Sequence, residues 1–322
     1  MTAGLDSGCV RIRLAAEGGV VSAVHVASER PAVASSLHGR AADEAVRLVP
    51  LLFALCGKAQ GRAAGLALAA ARGQPCPALL DPMIEQEVMR EHLWRWLLDL
   101  PPLLGEAPLR EEFVAAVAWV AQCRRDELAA LLAGPRIVDL RSRLGTIEDA
   151  PDPHHPLLPA LDAQASLACW SGLDAAFCKI PEWRGAPAET GAYARQQGRA
   201  ERPATAFAAR WLARLEELHN WARGRATVGA GGTASAALVA PGRGRALVET
   251  ARGLLMHEIV LDGDRIADYS IVAPTEWNFH PQGPLVDWLM GRDAGDREAL
   301  GKLAAHGVAA LDPCVRWELQ WS

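Results

Sequence analysis

No Cys-x-x-Cys pair occurs anywhere in the 322 residues, and the seven cysteines fall at irregular spacing. An odd, scattered set of this kind fits a reducing compartment better than a disulfide framework, so a cytoplasmic location is expected. Long apolar runs are also missing. Even "LVPLLFAL" gives way to Cys56-Gly57-Lys58, well short of the roughly 20 residues a membrane helix needs. The N-terminus "MTAGLDSGCVRIRL" lacks the charged-then-apolar pattern of a signal peptide. No basic stripe is present, because the net charge of −5 is mild and both signs are dispersed. Neither a nucleic acid nor a membrane is therefore expected as a partner. The Gly-rich "TVGAGGTASAALVAPGRGR" lacks the Gly-Lys-Ser/Thr ending of a phosphate-binding loop and reads as a flexible connection.

What is present is a chain with half its residues hydrophobic, enough for a large core. "VRIRLAAEGGVVSAVHV" alternates Val10, Ile12 and Leu14 on one face and turns at Glu17-Gly18-Gly19, which predicts a β-hairpin over 9–27. Helical text begins at Asp43 and runs to Ala71, with Pro50 at an end or a kink. In "DPMIEQEVMREHLWRWLLDLPPLLG", Met89, Leu93, Trp96, Leu97 and Leu100 form one stripe, and Pro101-Pro102 are expected to stop it. "REEFVAAVAWVAQCRRDELAALLAG" predicts a second helix, with Phe113, Val117 and Val120 on one side and Gly134-Pro135 closing it. Pro135 to Pro159 reads as a surface excursion whose His154-His155 carry no specific role. Phe207, Trp211, Leu215 and Leu218 mark a further helix, and Asp262-Gly263 between two β-rich runs marks a second hairpin.

Among the cysteines, Cys76 reads as an incidental loop thiol, and Cys123, Cys169 and Cys178 as small buried hydrophobes in helical segments. Cys56 precedes Gly57, where backbone can approach a ligand closely, and Cys314 follows Pro313, whose fixed φ aims the chain. Taken singly, either thiol is better read as an ordinary cysteine with no special role.

Their surroundings carry a resemblance. "ALCGKAQGRAAGLAL" resembles the N-terminal R-x-C-G-x-C-x-x-x-H motif of nickel–iron hydrogenase large subunits, and "LDPCVRWELQ" resembles their C-terminal D-P-C-x-x-C-x-x-H motif. Between them, "APAETGAYARQ" is similar to the E-V-G-P-L-A-R segment. "VETARGLLMHEIVLDGDRIADYSIVAPTEWN" is similar to the E-A-P-R-G-x-x-x-H region with its Pro-Thr/Ser-x-Trp-Asn ending. The four matches fall in the family's order from one end of the chain to the other, with a shorter middle.

The departures define what the resemblance implies. In the family each cysteine motif supplies two thiolates, and four thiolates hold nickel and iron together. Here the second cysteine positions are Ala59 and Trp317, and the motif histidines fall at Ala63 and Gln320. Nickel–thiolate chemistry needs soft ligands in number, so no nickel and no hydrogenase activity are expected. The acidic R-G-x-E segment that the enzymes use in proton transfer is not recognisable around "SERPAVASS". The iron side survives. Arg252, Pro274 and Thr275 match the positions whose donors hold the cyanide nitrogens in the family, and Cys56 and Cys314 would be the two thiolates on an Fe(CN)2(CO) fragment. They match the family's terminal nickel ligands, so the fragment would sit displaced by one cysteine position. One iron shared by two thiolates at about 2.3 Å requires sulfurs within roughly 4 Å of each other once loaded. Arg252 and Thr275 have a plain alternative as a salt-bridge partner and a turn residue, and His257 as a core histidine. Trp277 and Asn278 are expected to brace the loop.

This combination resembles the large-subunit-like hydrogenase accessory proteins of the HupK/HoxV type. The resemblance implies a maturation scaffold, not an enzyme, that transiently holds Fe(CN)2(CO) and passes it toward the hydrogenase large subunit precursor, working with maturation chaperones. Because the chain stops at Ser322 just past the motif, no tail cleavage is expected. Two alternatives stay open: a metal-free interaction protein with a degenerate large-subunit fold, and a redox protein working through a Cys56–Cys314 disulfide. The expected fold is α+β and mainly helical, a central antiparallel helix bundle with small antiparallel β-hairpins. It forms one domain over 1–322, with the hairpin at 9–27, a helical core at 43–134 and 160–224, and a C-terminal hairpin and Asp-Pro-Cys tail at 234–322. Trp317 and Trp321 are expected to hold that tail inside the fold.

Overall fold

The computed structural model describes the chain except residues 1–7, 32, 54, 77–78, 147–149, 151–154, 198–204, 226–232 and 322. His154 with residues 149 and 151–153 of the "DAPDPHHPLLP" stretch, and the Gly-rich residues 229–232, lie outside the described residues.

The strands are β1 (Cys9–Glu17), β2 (Val20–Glu29), β3 (Ala234–Ala240), β4 (Arg243–Thr250), β5 (Gly253–Asp262), β6 (Arg265–Val272) and β7 (Arg316–Trp321). The first two form the expected hairpin, turning through Gly18 and Gly19 in left-handed conformations. It is not a free hairpin. β7 adds to β1 in parallel, with Cys9 opposite both Glu29 and Arg316, giving the order β2-β1-β7. The second hairpin, β5–β6 around Gly263, belongs to a four-stranded antiparallel sheet in the order β3-β4-β5-β6. From Ala234 onward the segment read as flexible is thus strand, with only its masked part unassigned.

The helices are α1 (Ala42–Leu52), α2 (Gly57–Ala71), α3 (Pro82–Trp94), α4 (Leu100–Leu103), α5 (Arg110–Ala121), α6 (Arg125–Leu132), α7 (Pro135–Arg143), α8 (Ala163–Cys169), α9 (Ala192–Arg195), α10 (Ala206–Ala222), α11 (Pro274–Asn278), α12 (Pro284–Leu289) and α13 (Arg297–Leu311). The predicted stripes on α3 and α10 are buried throughout, from Met89 to Leu100 and from Phe207 to Leu218. Pro101-Pro102 do not stop the first. A π turn over Arg95–Asp99 restarts the helix, so both prolines fall in the opening turn of α4, where a missing N–H removes no helical bond. The second predicted helix is two, α5 and α6, broken at Cys123 with φ 54 and closed by the Arg124 N–H on the Trp119 carbonyl. Cys123 and Cys169 are exposed, not buried as expected, and Pro135 starts α7 instead of a surface loop.

α2 positions the site. Its face of Ala59, Ala63, Ala64 and Ala67 is fully buried, and these small side chains let it lie close over β4 and β5. At Gly244 a Cβ would stand 2.3 Å from the Ala67 carbonyl oxygen and the Ala71 nitrogen. A second core joins Val10, Ile12 and Leu14 to α12 and α13 through Trp288, Leu303 and Val308.

Candidate functional site

Cys56 occupies the N-cap position of α2 without capping it. Glu87, projecting from α3, accepts instead from the Lys58 and Ala59 backbone N–H groups, both at 3.1 Å. This carboxylate replaces the missing cap and fixes where the helix, and therefore the thiol, begins. Gly57 has a structural reason other than the expected ligand approach: a Cβ there would meet the Pro50 carbonyl oxygen at 3.0 Å. Behind the thiol runs a buried polar chain. Gln60 Nε2 donates to Cys56 Sγ at 3.6 Å, Gln60 Oε1 lies 2.9 Å from His257 Nε2, and His257 Nδ1 lies 2.9 Å from the Tyr269 hydroxyl. With the amide nitrogen on sulfur, Oε1 must accept from His257 Nε2–H, which leaves Nδ1 to accept from Tyr269. Every donor in the chain then points toward Cys56. Burial holds His257 neutral, with its pKa pushed down to about 3. Burial, then the nearby Cys314, push the Cys56 thiol up to about 12, against the opposing effects of Gln60 and Arg252.

Cys314 is set by the turn after α13. Asp312 ends the helix in the left-handed region, φ 56, with its N–H on the Val308 carbonyl at 2.8 Å. Its buried carboxylate takes Arg252 Nε at 3.2 Å and Arg95 Nη2 at 2.7 Å. Pro313 then prevents the helix from continuing, and Cys314 N–H donates to Thr275 Oγ1 at 3.3 Å. The sulfur accepts from Arg30 Nη2 at 2.7 Å and lies 3.3 Å from Thr275 Oγ1. Arg30 is held by Glu276, whose Oε1 is 2.7 Å from Nε and also accepts from Ser28 Oγ at 3.2 Å. Burial opposes the charge of Arg30, but Glu276 and Cys314 outweigh it and raise its pKa. For Arg252 burial is likewise outweighed, by Asp312 and Glu91 first. Burial would raise the Asp312 pKa, yet Arg252, Arg95 and Arg214 together hold it below the usual carboxylate range. The two thiols and the Arg30 and Arg252 guanidinium groups lie close enough for the charge state of one to affect the others. A cavity of about 580 Å³ opens beside Cys314, lined also by Arg252, Arg95, Asp312, Trp94 and Trp317 among others, and Cys56 is not part of its lining.

Residues 194–315 match the family model of nickel-dependent hydrogenases. The chain is 33% identical to the hydrogenase expression/formation protein HoxV of Cupriavidus necator over 92% of each chain. It is 30% identical to the hydrogenase expression/formation protein HupK of Rhizobium leguminosarum bv. viciae, over 99% of this chain and 98% of that one. The chain belongs to the HoxV/HupK family of hydrogenase expression/formation proteins. Its fold is that of the hydrogenase large subunits, mixed α+β. It superposes on the Ni-Fe-Se hydrogenase of D. vulgaris Hildenborough with a TM-score of 0.63 at 14% identity, covering 92% of this chain and 94% of that one. The enzyme of Desulfomicrobium baculatum gives 0.63 at 13% identity, over 94% and 95%.

In this HoxV/HupK-type chain, Cys56, Cys314, Arg252 and Thr275 converge, whereas Pro274 is the buried first residue of α11 and serves to start it. Arg252 is already committed, because Asp312 and Glu91 take its Nε and Nη2. His257 is the core histidine of the alternative reading. Asn278 braces as expected, donating to the Arg252 and Leu311 carbonyls and accepting from Thr190 N–H, while Trp277 packs against Trp170 and Phe177. Trp317 does not hold the tail inside, being exposed, whereas Trp321 packs against the second core as expected and the β1–β7 ladder secures the rest. Among the described residues no group of three or more His, Cys, Asp or Glu side chains is placed to hold a metal ion. Residue-level reading missed Arg30, Gln60 and Glu276. Arg30 sits in the same "SERPAVASS" stretch searched for an acid, and the signal was its place at the exit of β2.

Proposed function

We propose that this protein is a maturation scaffold, not a catalyst, that holds an Fe(CN)2(CO) fragment between the Cys56 and Cys314 thiolates and passes it toward a hydrogenase large subunit precursor. The observation that carries this reading is that Cys314 Sγ accepts from Arg30 Nη2 and lies beside Thr275 Oγ1, with Cys56 and Arg252 near enough to act on it electrostatically. Ferrous iron with two cyanides, a neutral carbonyl and two thiolates has a net charge of about −2, and nearby guanidinium groups offset part of its desolvation cost. Thr275 Oγ1, beside Cys314, and the Arg252 Nη1 that neither Asp312 nor Glu91 takes would donate toward cyanide nitrogens, with Pro274 setting the start of the helix that carries Thr275. Ala59 and Trp317 leave no thiolates for nickel, and two thiolates release a fragment more readily than four. The relatives' role in hydrogenase expression and formation agrees with this, and maturation chaperones are the expected partners.

Infrared spectroscopy of protein purified with the maturation machinery tests it. Cyanide and carbonyl stretching bands are expected in the wild type and should vanish in the Cys56→Ala, Cys314→Ala variant. Their absence from every preparation, or persistence in that variant, sinks the proposal. The prior engagement of Arg252 by two carboxylates favours a second reading, a metal-free protein that docks hydrogenase or its chaperones. Under that reading both cysteine variants still support maturation.

A further inference from the structure

We propose that Arg30 is a positioning residue that gives the Cys314 side of the site its preference for anionic groups; the identity of the ligand as an iron–cyanide fragment rests on the reading above. The geometry is a fixed dipole. Glu276 engages Nε, on the far side of the guanidinium, while Nη2 faces the sulfur at 2.7 Å. The positive end of the Arg30–Glu276 pair is therefore presented to Cys314 and its negative end is tied back to Ser28.

Backbone registration makes this arrangement rigid. Cys9 pairs with Glu29 on one side and Arg316 on the other, so the exit of β2 and the entry of β7 lie at the same end of one sheet. Arg30 leaves β2 at that end and Cys314 precedes β7 there, although they are 284 positions apart. Glu276 and Thr275 are neighbours on α11, so one short helix orients both the guanidinium and the sulfur it faces. The Arg30 side chain is 19% exposed, and unlike Arg252 it is not part of the lining of the cavity beside Cys314. A guanidinium cannot give up its proton near neutral pH, so next to a thiol it serves only to stabilise negative charge. Arg252, whose Nε and Nη2 are bonded to carboxylates, is less free to do so. An arriving group that carries negative charge, as a metal fragment bearing cyanide does, is favoured beside Cys314 over a neutral one of the same shape, and a cationic one is disfavoured.

Alkylation with reagents of different charge tests this without iron. Iodoacetate and iodoacetamide both form a sulfur–carbon bond with the thiolate and release iodide, so their rate ratio at one cysteine reports the local charge. The ratio is measured at fixed pH for the Cys314 peptide by mass spectrometry, with exposed Cys169 as internal control. Arg30→Gln is expected to lower the ratio at Cys314 by about fivefold, as loss of one nearby charge does, and Arg30→Lys to retain most of it. Glu276→Gln, which removes the counter-charge, is expected to raise it. An unchanged Cys314 ratio in Arg30→Gln overturns the proposal, and so does an unchanged or lowered ratio in Glu276→Gln should the first variant fail to fold. If the ratios shift as expected while wild-type protein never shows cyanide bands, the iron reading fails and the role of Arg30 stands.

Discussion

Asp312 meets three requirements at once. It ends α13 in a left-handed conformation that Asp tolerates better than most residues, precedes the proline that redirects the chain, and neutralises part of the charge on Arg252 and Arg95. Replacing it with Asn keeps the shape and removes the charge, leaving two buried guanidinium groups short of a partner. A loss of about 3–5 kcal/mol is expected, read as a lowered urea midpoint. The sign with pH follows from the depressed carboxyl pKa. The Asp312 contribution is full above the ordinary carboxylate pKa and is lost as pH falls below it, so Asp312→Asn should flatten the acid limb of the stability curve. His257 acts in a different window. Its folded pKa, about 3, lies below the usual 6.5, so the unfolded chain takes up a proton first and stability falls from pH 6.5 toward 3. His257→Gln should reduce that slope, measured by denaturation at stepped pH, and an unchanged slope would contradict a buried neutral histidine. Cys56, Cys314, Arg252 and Thr275 could be read because each sits in a contiguous motif. Arg30 could not, since its meaning depends on a partner brought beside it by a sheet.

α2 is the element on which the Cys56 half of the site depends. It starts at Cys56, is capped by Glu87 from another helix, and lies against β4 where Gly244 leaves no room for a methyl group. Gly244→Ala must push the helix from the sheet or distort the strand, because every atom the new Cβ would meet is backbone. A destabilisation of about 3 kcal/mol, at the upper end of core overpacking, is expected in chemical denaturation. Because the displaced helix carries Cys56, its alkylation should quicken while that of Cys314 does not. Equal acceleration of both would mean that the site moves as a whole. The apolar stripes of α3 and α10 were legible in the sequence because a long buried face repeats its residues at helical spacing. The break at Cys123 was not, since a left-handed closing residue is ordinarily signalled by Gly or Asn, and neither is there. The restart at Pro101-Pro102 was hidden for a related reason: the π turn that makes the prolines harmless leaves no mark in a pattern of apolar residues.

At the scale of the whole molecule the site is assembled by closing the two ends of the chain. The hairpin near the N-terminus brings Arg30, α2 brings Cys56, the β4–β5 turn and α11 bring Arg252 and Thr275, and the last helix and strand bring Cys314. The tightness of this closure shows at Gly191 and Gly253. A Cβ on Gly191 would stand 2.9 Å from the Arg252 carbonyl oxygen, and one on Gly253 would stand 2.3 Å from Thr190, so the Glu-Thr-Gly and Arg-Gly motifs pack back to back. Their order along the chain was legible as a resemblance, whereas the parallel pairing of β7 with β1 was not, because a strand of six residues carries no information about which edge it joins. That pairing carries a testable consequence. Trp317 of β7 is exposed while Leu319 and Trp321 pack against the second core, and the ladder with β1 runs from Cys9–Arg316 to Leu14–Trp321 and fixes the residues before it. Removal of residues 316–322 should leave the helices formed by circular dichroism, because Trp288, Leu303 and Val308 still pack on Val10, Ile12 and Leu14, although the contacts of Leu319 and Trp321 with that core are lost. Cys314 would lose its tether, and its iodoacetamide rate should rise on the order of tenfold, as expected when a local opening becomes easier by about one power of ten, with Cys169 unchanged. A Cys314 rate equal to that of the full chain would show that Arg30 and Thr275 hold the sulfur without the strand.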